Sequence, residues 1–198
     1  MTTDGSSLVI WRSDDPVGGH DGLFGQWYDS NGTATGGEFA VPYQGPEPGT
    51  YALTFAGNGS FILVQTGPDT DGTGIFAQRY SGMGSPVGPY FQVNTNAVDQ
   101  QIRPAAAMAP DGRFVVVWQC EFPADSSIYG QRFSSAGTPD GGEILVSPSS
   151  YSQSRPAVAM APDGSFVVAW SSWDQDGSSY GVFAQRFDAQ GNPLGRGP

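Results

Sequence analysis

The chain has 198 residues, among them 29 glycines and 16 prolines, and 13% of its residues are aromatic. Its net charge is −11, and all eight of its basic residues are arginines. Nucleic-acid binding requires a basic surface and anionic membranes attract basic segments, so this charge argues against both partners. No apolar stretch approaches the roughly 20 residues of a membrane-spanning helix, so membrane insertion is not expected.

The predicted elements are short strands that recur along the chain. The first copy contains SLVIW (7–11), LFGQWYD (23–29) and EFAV (38–41). The second contains TYALTFA (50–56), FILVQ (61–65), IFAQRYS (75–81) and YFQVN (90–94). The third contains RPAAAMA (103–109), FVVVW (114–118), IYGQRFS (128–134) and EILV (143–146). The fourth contains RPAVAMA (155–161), FVVAW (166–170) and VFAQRFD (182–188).

This repetition predicts an all-β fold of four units, at 1–49, 50–102, 103–154 and 155–198. Each unit has a small-residue strand A, an apolar strand B, a strand C with a central glutamine and a short strand D. Four-stranded units of this length are typical of β-propeller blades. The first unit lacks strand A and the last is expected to lack strand D. Asp-Gly or Asn-Gly before each strand B predicts a type I′ hairpin turn.

Strand B supports the propeller prediction. FVVVW is continuously apolar, as expected of a strand whose sheet is covered on both faces by neighbouring blades. Cys120 follows this run and is expected to be buried and inert. Incomplete first and last blades leave unpaired strand edges, which predicts a homo-oligomer through open blade edges.

The fourth copy carries a resemblance to a known class of repeats. WSSWDQDGSSYGVFAQRFDAQGNPLG (170–195), preceded by PAVAMAPDGSFVVAW, resembles the tandem repeats of very large secreted bacterial exoproteins of the adhesin and haemolysin-type calcium-binding kind. The resemblance extends over the whole chain and weakens in the first copy, where Trp27 replaces the arginine of strand C. It implies a secreted propeller-type module for adhesion or binding, without a catalytic motif.

The loops between strands B and C are the candidate metal sites. Asp-x-Asp-Gly places two carboxylates at alternate positions before a sharp turn, as oxygen-ligand calcium loops begin. A plain acidic turn is the alternative. If calcium binds, the candidate ligands are Asp69, Asp71, Asp174 and Asp176.

Two further sets of side chains are candidates for ligand binding. Trp173 lies in a loop beside serines and acids, where an exposed ring could serve as a sugar platform. The glutamines of strand C recur in every copy and either tie strands together or form a repeated ligand contact; they are Gln26, Gln78, Gln131 and Gln185. The expected partner is accordingly a glycan or a protein surface, and a lectin with sites between blades is the main alternative to an adhesion module. A self-assembling structural repeat without a ligand is a further alternative.

Catalysis is not expected from the sequence. The chain has one histidine, His20, in a glycine-rich loop, and it has no lysine for a Schiff base. Two carboxylates could hydrolyse a glycoside, but no pair is marked by the pattern.

Overall fold

The computed structural model describes residues 4–13, 22–41, 51–82, 84–122, 125–147 and 151–195. The regular structure in these ranges consists of fifteen strands. They are β1 (Ser7–Ser13), β2 (Gly22–Tyr28), β3 (Ala34–Val41), β4 (Tyr51–Phe55), β5 (Phe61–Asp69), β6 (Gly72–Tyr80), β7 (Pro86–Gln92), β8 (Gln100–Met108), β9 (Phe114–Glu121), β10 (Ser126–Phe133), β11 (Ile144–Leu145), β12 (Gln153–Met160), β13 (Phe166–Trp173), β14 (Tyr180–Phe187) and β15 (Pro193–Leu194). The all-β prediction is confirmed. Within the described ranges there is no helix of the length and apolarity that membrane crossing would need.

The strands pair antiparallel in chain order within each repeat. β1–β3 form a three-stranded sheet, β4–β11 form one eight-stranded sheet, and β12–β15 form a four-stranded sheet. Within the eight-stranded sheet, one parallel pair, Thr73 with Gln100, joins β6 to β8, and Thr73 Oγ1 donates to Gln100 Oε1 at 2.7 Å. We call β1–β3, β4–β7, β8–β11 and β12–β15 the first to fourth units; β8 and β12 begin at Gln100 and Gln153, slightly before the predicted boundaries.

Successive units stack face to face through their apolar side chains. We call the face that packs on the following unit the forward face, and the opposite face the rear face. The forward face of the second unit contributes Ile62, Val64 and Ile75 to a cluster with Phe114, Val116 and Trp118 on the rear face of the third. The same arrangement joins the third unit to the fourth and the first to the second. Burial of these apolar side chains is the main stabilising contribution.

Strand B shows how this stacking differs between inner and outer units. The first seven residues of β5 and of β9 are all buried, because both faces of these sheets are covered. Along β13, by contrast, buried and more exposed residues alternate, as expected of a sheet covered on one face. In β1, Leu8 is buried while Val9 is exposed. The prediction of double cover thus holds for the two inner units.

The hairpin turns correct the predicted turn type. The carbonyl of Ala109 accepts from the Gly112 N–H at 2.9 Å, and the Ala109 N–H donates to the Arg113 carbonyl at 2.8 Å. Among these residues Gly112 alone has positive φ, at 88°, whereas a type I′ turn requires two such residues. The turn is therefore a three-residue loop that ends in a left-handed glycine. Asn58-Gly59 and Asp163-Gly164 adopt the same form.

The aspartates of these turns hold the loops through hydrogen bonds from the following residues. Asp163 Oδ1 accepts from the Ser165 hydroxyl at 2.7 Å and from its N–H at 2.9 Å. These bonds favour the ionised form and keep the pKa of Asp163 below its usual range. Asp188 in a C–D turn has a lowered pKa for the same reason, with Asn192 as the donor.

The end of the fourth unit contains a short strand that the sequence did not predict. Pro193 and Leu194 form β15, which pairs with Phe187 and Arg186 where strand D was expected to be absent. The tight turn at Asp188 reverses the chain, which brings Pro193 alongside β14. β15 corresponds to the residues that immediately precede the predicted strand D in the other units, and the position of that segment in the fourth unit lies outside the described residues.

Candidate functional site

A polar cleft of about 630 Å³ lies between the third and fourth units. Its walls come from the start of strand A and the B–C hairpin of both units. They are formed by Arg103, Gln119, Glu121, Phe122, Asp125, Ser126, Ser152, Ser154, Arg155, Ser171 and Tyr180. A second depression of about 330 Å³ shares Glu121 and Phe122 with it and adds Asp71, Asp99 and Gln100. The two depressions together form a polar concavity along one edge of these units.

Two arginines at equivalent repeat positions lie in this cleft with unusual backbone geometry. Arg103 has φ of 53° and Arg155 has φ of 57°, in a region that side-chain-bearing residues rarely occupy. Both precede a proline and lie where the pairing of strand A with strand B shifts register. Such strain costs about 1–3 kcal/mol per residue and is concentrated at functional sites.

Neither arginine has an ion-pair partner among the residues that the structure describes, whereas Arg113 and Arg132 pair with Asp111 and Asp140. Arg155 is exposed and Arg103 is half-buried. Because neither guanidinium is engaged in such a pair, both give the cleft hydrogen-bond donors for a polar or anionic ligand, although the chain has a net charge of −11.

The β9–β10 hairpin supplies the carboxylates of the cleft. Glu121 accepts from Gln119 Nε2 at 2.9 Å, and both Glu121 and Asp125 are half-buried. Behind them the Ser126 hydroxyl donates to the Gln153 carbonyl at 2.6 Å and lies 2.9 Å from the Ser152 hydroxyl. This hydrogen-bonded floor fixes the third unit against the fourth beneath the carboxylates.

An aromatic pair stands beside the cleft. Trp173 ends β13 and Tyr180 begins β14, so the two residues lie directly opposite each other in the ladder. Their ring centroids are 4.8 Å apart in an edge-to-face arrangement. Trp173 is 48% exposed and Tyr180 is 68% exposed, and Tyr180 also lines the cleft. Trp173, predicted as a sugar platform, is thus placed next to the polar cleft.

The strand C glutamines lie elsewhere and bond within their own units. Gln131 Nε2 donates to the Arg132 carbonyl at 2.9 Å and to the Gly141 carbonyl at 3.1 Å. Gln26, Gln78 and Gln185 form an equivalent pair of bonds, one to the carbonyl of the next residue and one to a carbonyl in β3, β7 or β15. None of the four lines the cleft, and this geometry favours the alternative in which they tie strands together.

The predicted calcium ligands fall into two separate hairpins. Asp69 and Asp71 lie at the β5–β6 turn, where the Asp71 N–H donates to Asp69 Oδ1 at 3.1 Å. Asp174 and Asp176 lie at the β13–β14 turn, where Asp176 Oδ1 accepts from the Ser178 N–H at 3.1 Å. Within the described ranges no three His, Cys, Asp or Glu side chains are grouped as metal ligands. Calcium binding at these turns stays a prediction.

Two other residues from the sequence analysis have simple outcomes. Cys120 is buried with a free thiol, and burial raises its pKa, which disfavours the reactive thiolate. His20 lies outside the described residues.

The arginines of the cleft were not predicted as site residues. Their sequence signal is the Arg-Pro pair that opens strand A in the third and fourth copies. The residue before a proline is normally extended, so the pair predicted an ordinary strand start. A bulged strand with a left-handed arginine cannot be distinguished from it by sequence.

No family model and no curated protein matches the chain. In fold it is similar to an endo-arabinase from Bacteroides thetaiotaomicron, at 14% identity over 97% of this chain and 77% of that one, with a TM-score of 0.53. It is also similar to an α-L-arabinofuranosidase from Lactobacillus brevis, at 11% identity over 98% of this chain and 73% of that one, with a TM-score of 0.55. A third similar structure is an ulvan lyase bound to -[GlcA(1-4)Rha3S]-, at 10% identity and a TM-score of 0.62.

The match to the ulvan lyase covers 98% of this chain and 54% of that one, so the chain spans about half the length of the lyase. These similarities concern the fold. They do correct one prediction: the exclusion of catalysis is wrong, because the matched structures are glycoside hydrolases and a polysaccharide lyase. The resemblance to exoprotein repeats stays a prediction.

Proposed function

We propose that the chain is a polysaccharide-binding module whose site is the cleft between the third and fourth units. The observation that carries the proposal is the exposed Trp173–Tyr180 pair beside a concavity lined by arginines, carboxylates and hydroxyls. Sugar rings present apolar faces and polar edges, so an aromatic platform next to fixed hydrogen-bonding groups matches both. The proteins of similar fold are named as an endo-arabinase, an α-L-arabinofuranosidase and an ulvan lyase, which favours a glycan over a protein ligand.

The four units are taken in this proposal as blades of a β-propeller. Face-to-face stacking in chain order is the packing that a propeller requires, and strand A, rich in alanine, suits the crowded position near an axis. The cleft then lies at the starts of two neighbouring A strands, towards the axis. A polysaccharide ligand also fits the extracellular location that the resemblance implies.

Arg103 and Arg155 extend the proposal to acidic sugars. Each guanidinium can contact a uronate or sulfate through two parallel N–H donors, and neither is neutralised by a carboxylate of the described residues. Substitution of either arginine by glutamine should therefore weaken binding of acidic polysaccharides more than binding of neutral ones.

The test is calorimetric titration of the chain with arabinan, a neutral polymer, and with ulvan oligosaccharides, which are acidic. Trp173→Ala and Tyr180→Ala should each weaken binding by about tenfold, or ~1.4 kcal/mol, because each removes half of the stacking platform. Tyr51→Ala is the matched control, since Tyr51 is an exposed aromatic residue of the second unit outside the cleft. Equal losses in all three variants, or no binding to either polymer, would refute the assignment.

A second candidate function is cleavage of the bound polysaccharide, favoured by the presence of Glu121 and Asp125 in the same cleft. Glycosidases use two carboxyl groups, one to protonate the leaving oxygen and one to activate water or to attack the sugar. Incubation with the same polymers should then release new reducing ends. Glu121→Gln and Asp125→Asn should abolish this release and retain binding, whereas turnover by both variants would exclude the pair as the catalytic groups.

A further inference from the structure

The forward face of the fourth unit is apolar and uncovered. Val167 is 37% exposed and Val182 is 82% exposed, and Ala157, Ala159 and Ala184 beside them are also exposed. At the same repeat positions in the third unit, Val115 and Ile128 are completely buried under the fourth unit. The forward face is therefore covered by the next unit in the third unit, whereas in the fourth unit no described residue covers it.

The rear face of the first unit is uncovered as well. Val9 is 47% exposed on it, and Trp11, Phe24 and Tyr28 are half-buried. Their equivalents in the third unit include Val116, Trp118 and Phe133, all buried against the second unit. Both open faces are present in one structure, so they do not cover each other within the chain.

We propose that the forward face of the fourth unit docks on the rear face of the first unit of a second copy of this chain. This contact would repeat the packing that already joins the units in order along the chain. Each of those interfaces pairs the forward face of one unit with the rear face of the next. The forward face of the fourth unit and the rear face of the first unit are the two faces that have no such pairing among the described residues. The contact is heterologous, so two or more copies associate head to tail.

A polar contact between units supports the same pairing. Arg132 of the third unit donates to the carbonyl of Ala189 in the C–D turn of the fourth, and it passes over Gly191 in a space that a Cβ atom would fill. Arg79 of the second unit lies in the same way over Gly137 of the third. Each glycine thus provides the space for an arginine from the preceding unit.

The fourth unit has the arginine of this contact, and the first unit has the glycine turn. Arg186 of the fourth unit is exposed on strand C, at the position of Arg79 and Arg132. The C–D turn of the first unit carries Gly32 with φ of 80°, and no described atom lies within 4 Å of a Cβ built there. In the proposed contact the Arg186 guanidinium lies over Gly32 of the second copy and donates to the carbonyl of Ser30, the equivalent of Ala189.

This inference differs from the prediction made from the sequence. Open blade edges would pair strand to strand through backbone hydrogen bonds. The proposed contact instead buries sheet faces through valine and aromatic side chains. Trp173 and Tyr180 alternate onto the same face of the fourth unit as Val167 and Val182, so docking also covers the aromatic pair beside the cleft. Sedimentation without polysaccharide therefore tests this contact separately from the proposed function.

The experiment is sedimentation velocity over a range of concentrations with two charged variants. The wild-type chain should sediment as a dimer or larger species. Val182→Glu on the forward face and Val9→Glu on the rear face should each weaken self-association by about a hundredfold, because docking would bury an unpaired charge. Val98→Glu is the matched control, since Val98 is a similarly exposed valine in the loop after β7. Near-ultraviolet circular dichroism verifies that each variant keeps its fold.

Mixing the two variants distinguishes faces from edges. Val9→Glu chains keep an intact forward face and Val182→Glu chains keep an intact rear face, so the mixture should form a heterodimer that neither variant forms alone. A labelled copy of one variant makes this association visible. A wild-type chain that stays monomeric, a Val182→Glu variant that self-associates normally, or a mixture that fails to associate would overturn the proposal.

Discussion

The four glutamines of strand C show how one repeated residue serves the fold. In each unit the glutamine side chain bridges strand C to the segment that follows the C–D turn, with both N–H groups used on backbone carbonyls. In the second unit this bridge lies at the register shift between Ala77 and Arg79 in the pairing of β6 with β7. The side chain therefore completes the hydrogen bonding of a bulged strand pair.

Substitution of Gln131 by alanine should be costly for stability. The residue is buried, and its loss leaves two carbonyls without donors, which costs about 1–3 kcal/mol. Urea unfolding measures this loss, and Gln26→Ala is the matched control, because Gln26 has the same bonds in a more exposed position. We expect a smaller loss in the control and unchanged polysaccharide binding in both variants. Loss of binding without loss of stability would instead identify Gln131 as a ligand contact.

The limits of prediction are also visible at single residues. Gln131 and Trp173 were identified because they repeat or stand out in the sequence, but the sequence left their roles open. Tyr180 was missed as the partner of Trp173, since the exact hairpin register places the two opposite each other and composition does not fix that register. Arg103 and Arg155 were missed because backbone strain arises from tertiary packing, which the local sequence does not report.

At the scale of elements, the repeated hairpins were predicted in position but not in geometry. Strand B begins at the predicted residue in all four units, because the Asp-Gly or Asn-Gly turn and the apolar run mark its start together. The pair Asp111-Gly112 was expected to occupy a two-residue turn. It forms the end of a longer loop, because Asp111 bonds through its side chain to the Arg113 N–H at 3.1 Å and keeps negative φ. The same residues suit both turns, so sequence alone does not decide between them.

Alanine at Gly112 should destabilise the third hairpin. The residue has φ of 88°, and a Cβ atom would lie 3.2 Å from Ser135 Cβ, so the variant combines backbone strain with a close contact. We expect a loss of about 1–2 kcal/mol in the free energy of unfolding. Gly142→Ala is the control, because Gly142 lacks positive φ and has no atom within 4 Å of the added carbon. A control as unstable as Gly112→Ala would contradict the turn geometry as the cause.

At the scale of the whole molecule, stability depends on how many neighbours each sheet has. The repeat was readable from the sequence, and so was the apolar character of strand B. The difference in burial between inner and outer units could not be predicted from the sequence, because FVVVW in the third unit and FVVAW in the fourth are almost identical. Burial of these strands is set by the units beside them, and a local pattern contains no information on that.

Truncation of one valine at equivalent positions measures this difference. Val115→Ala should lower the free energy of unfolding by about 2–3 kcal/mol, because Val115 is completely buried between the third and fourth units. Val167→Ala, at the same position of the fourth unit, should cost about 0.5 kcal/mol, since one face of that sheet is open. Both are measured by chemical unfolding in the Val9→Glu background, which prevents docking between copies. Equal costs at the two positions would mean that the forward face of the fourth unit is covered within a single chain, and the stacking of separate copies would then have no surface on which to occur.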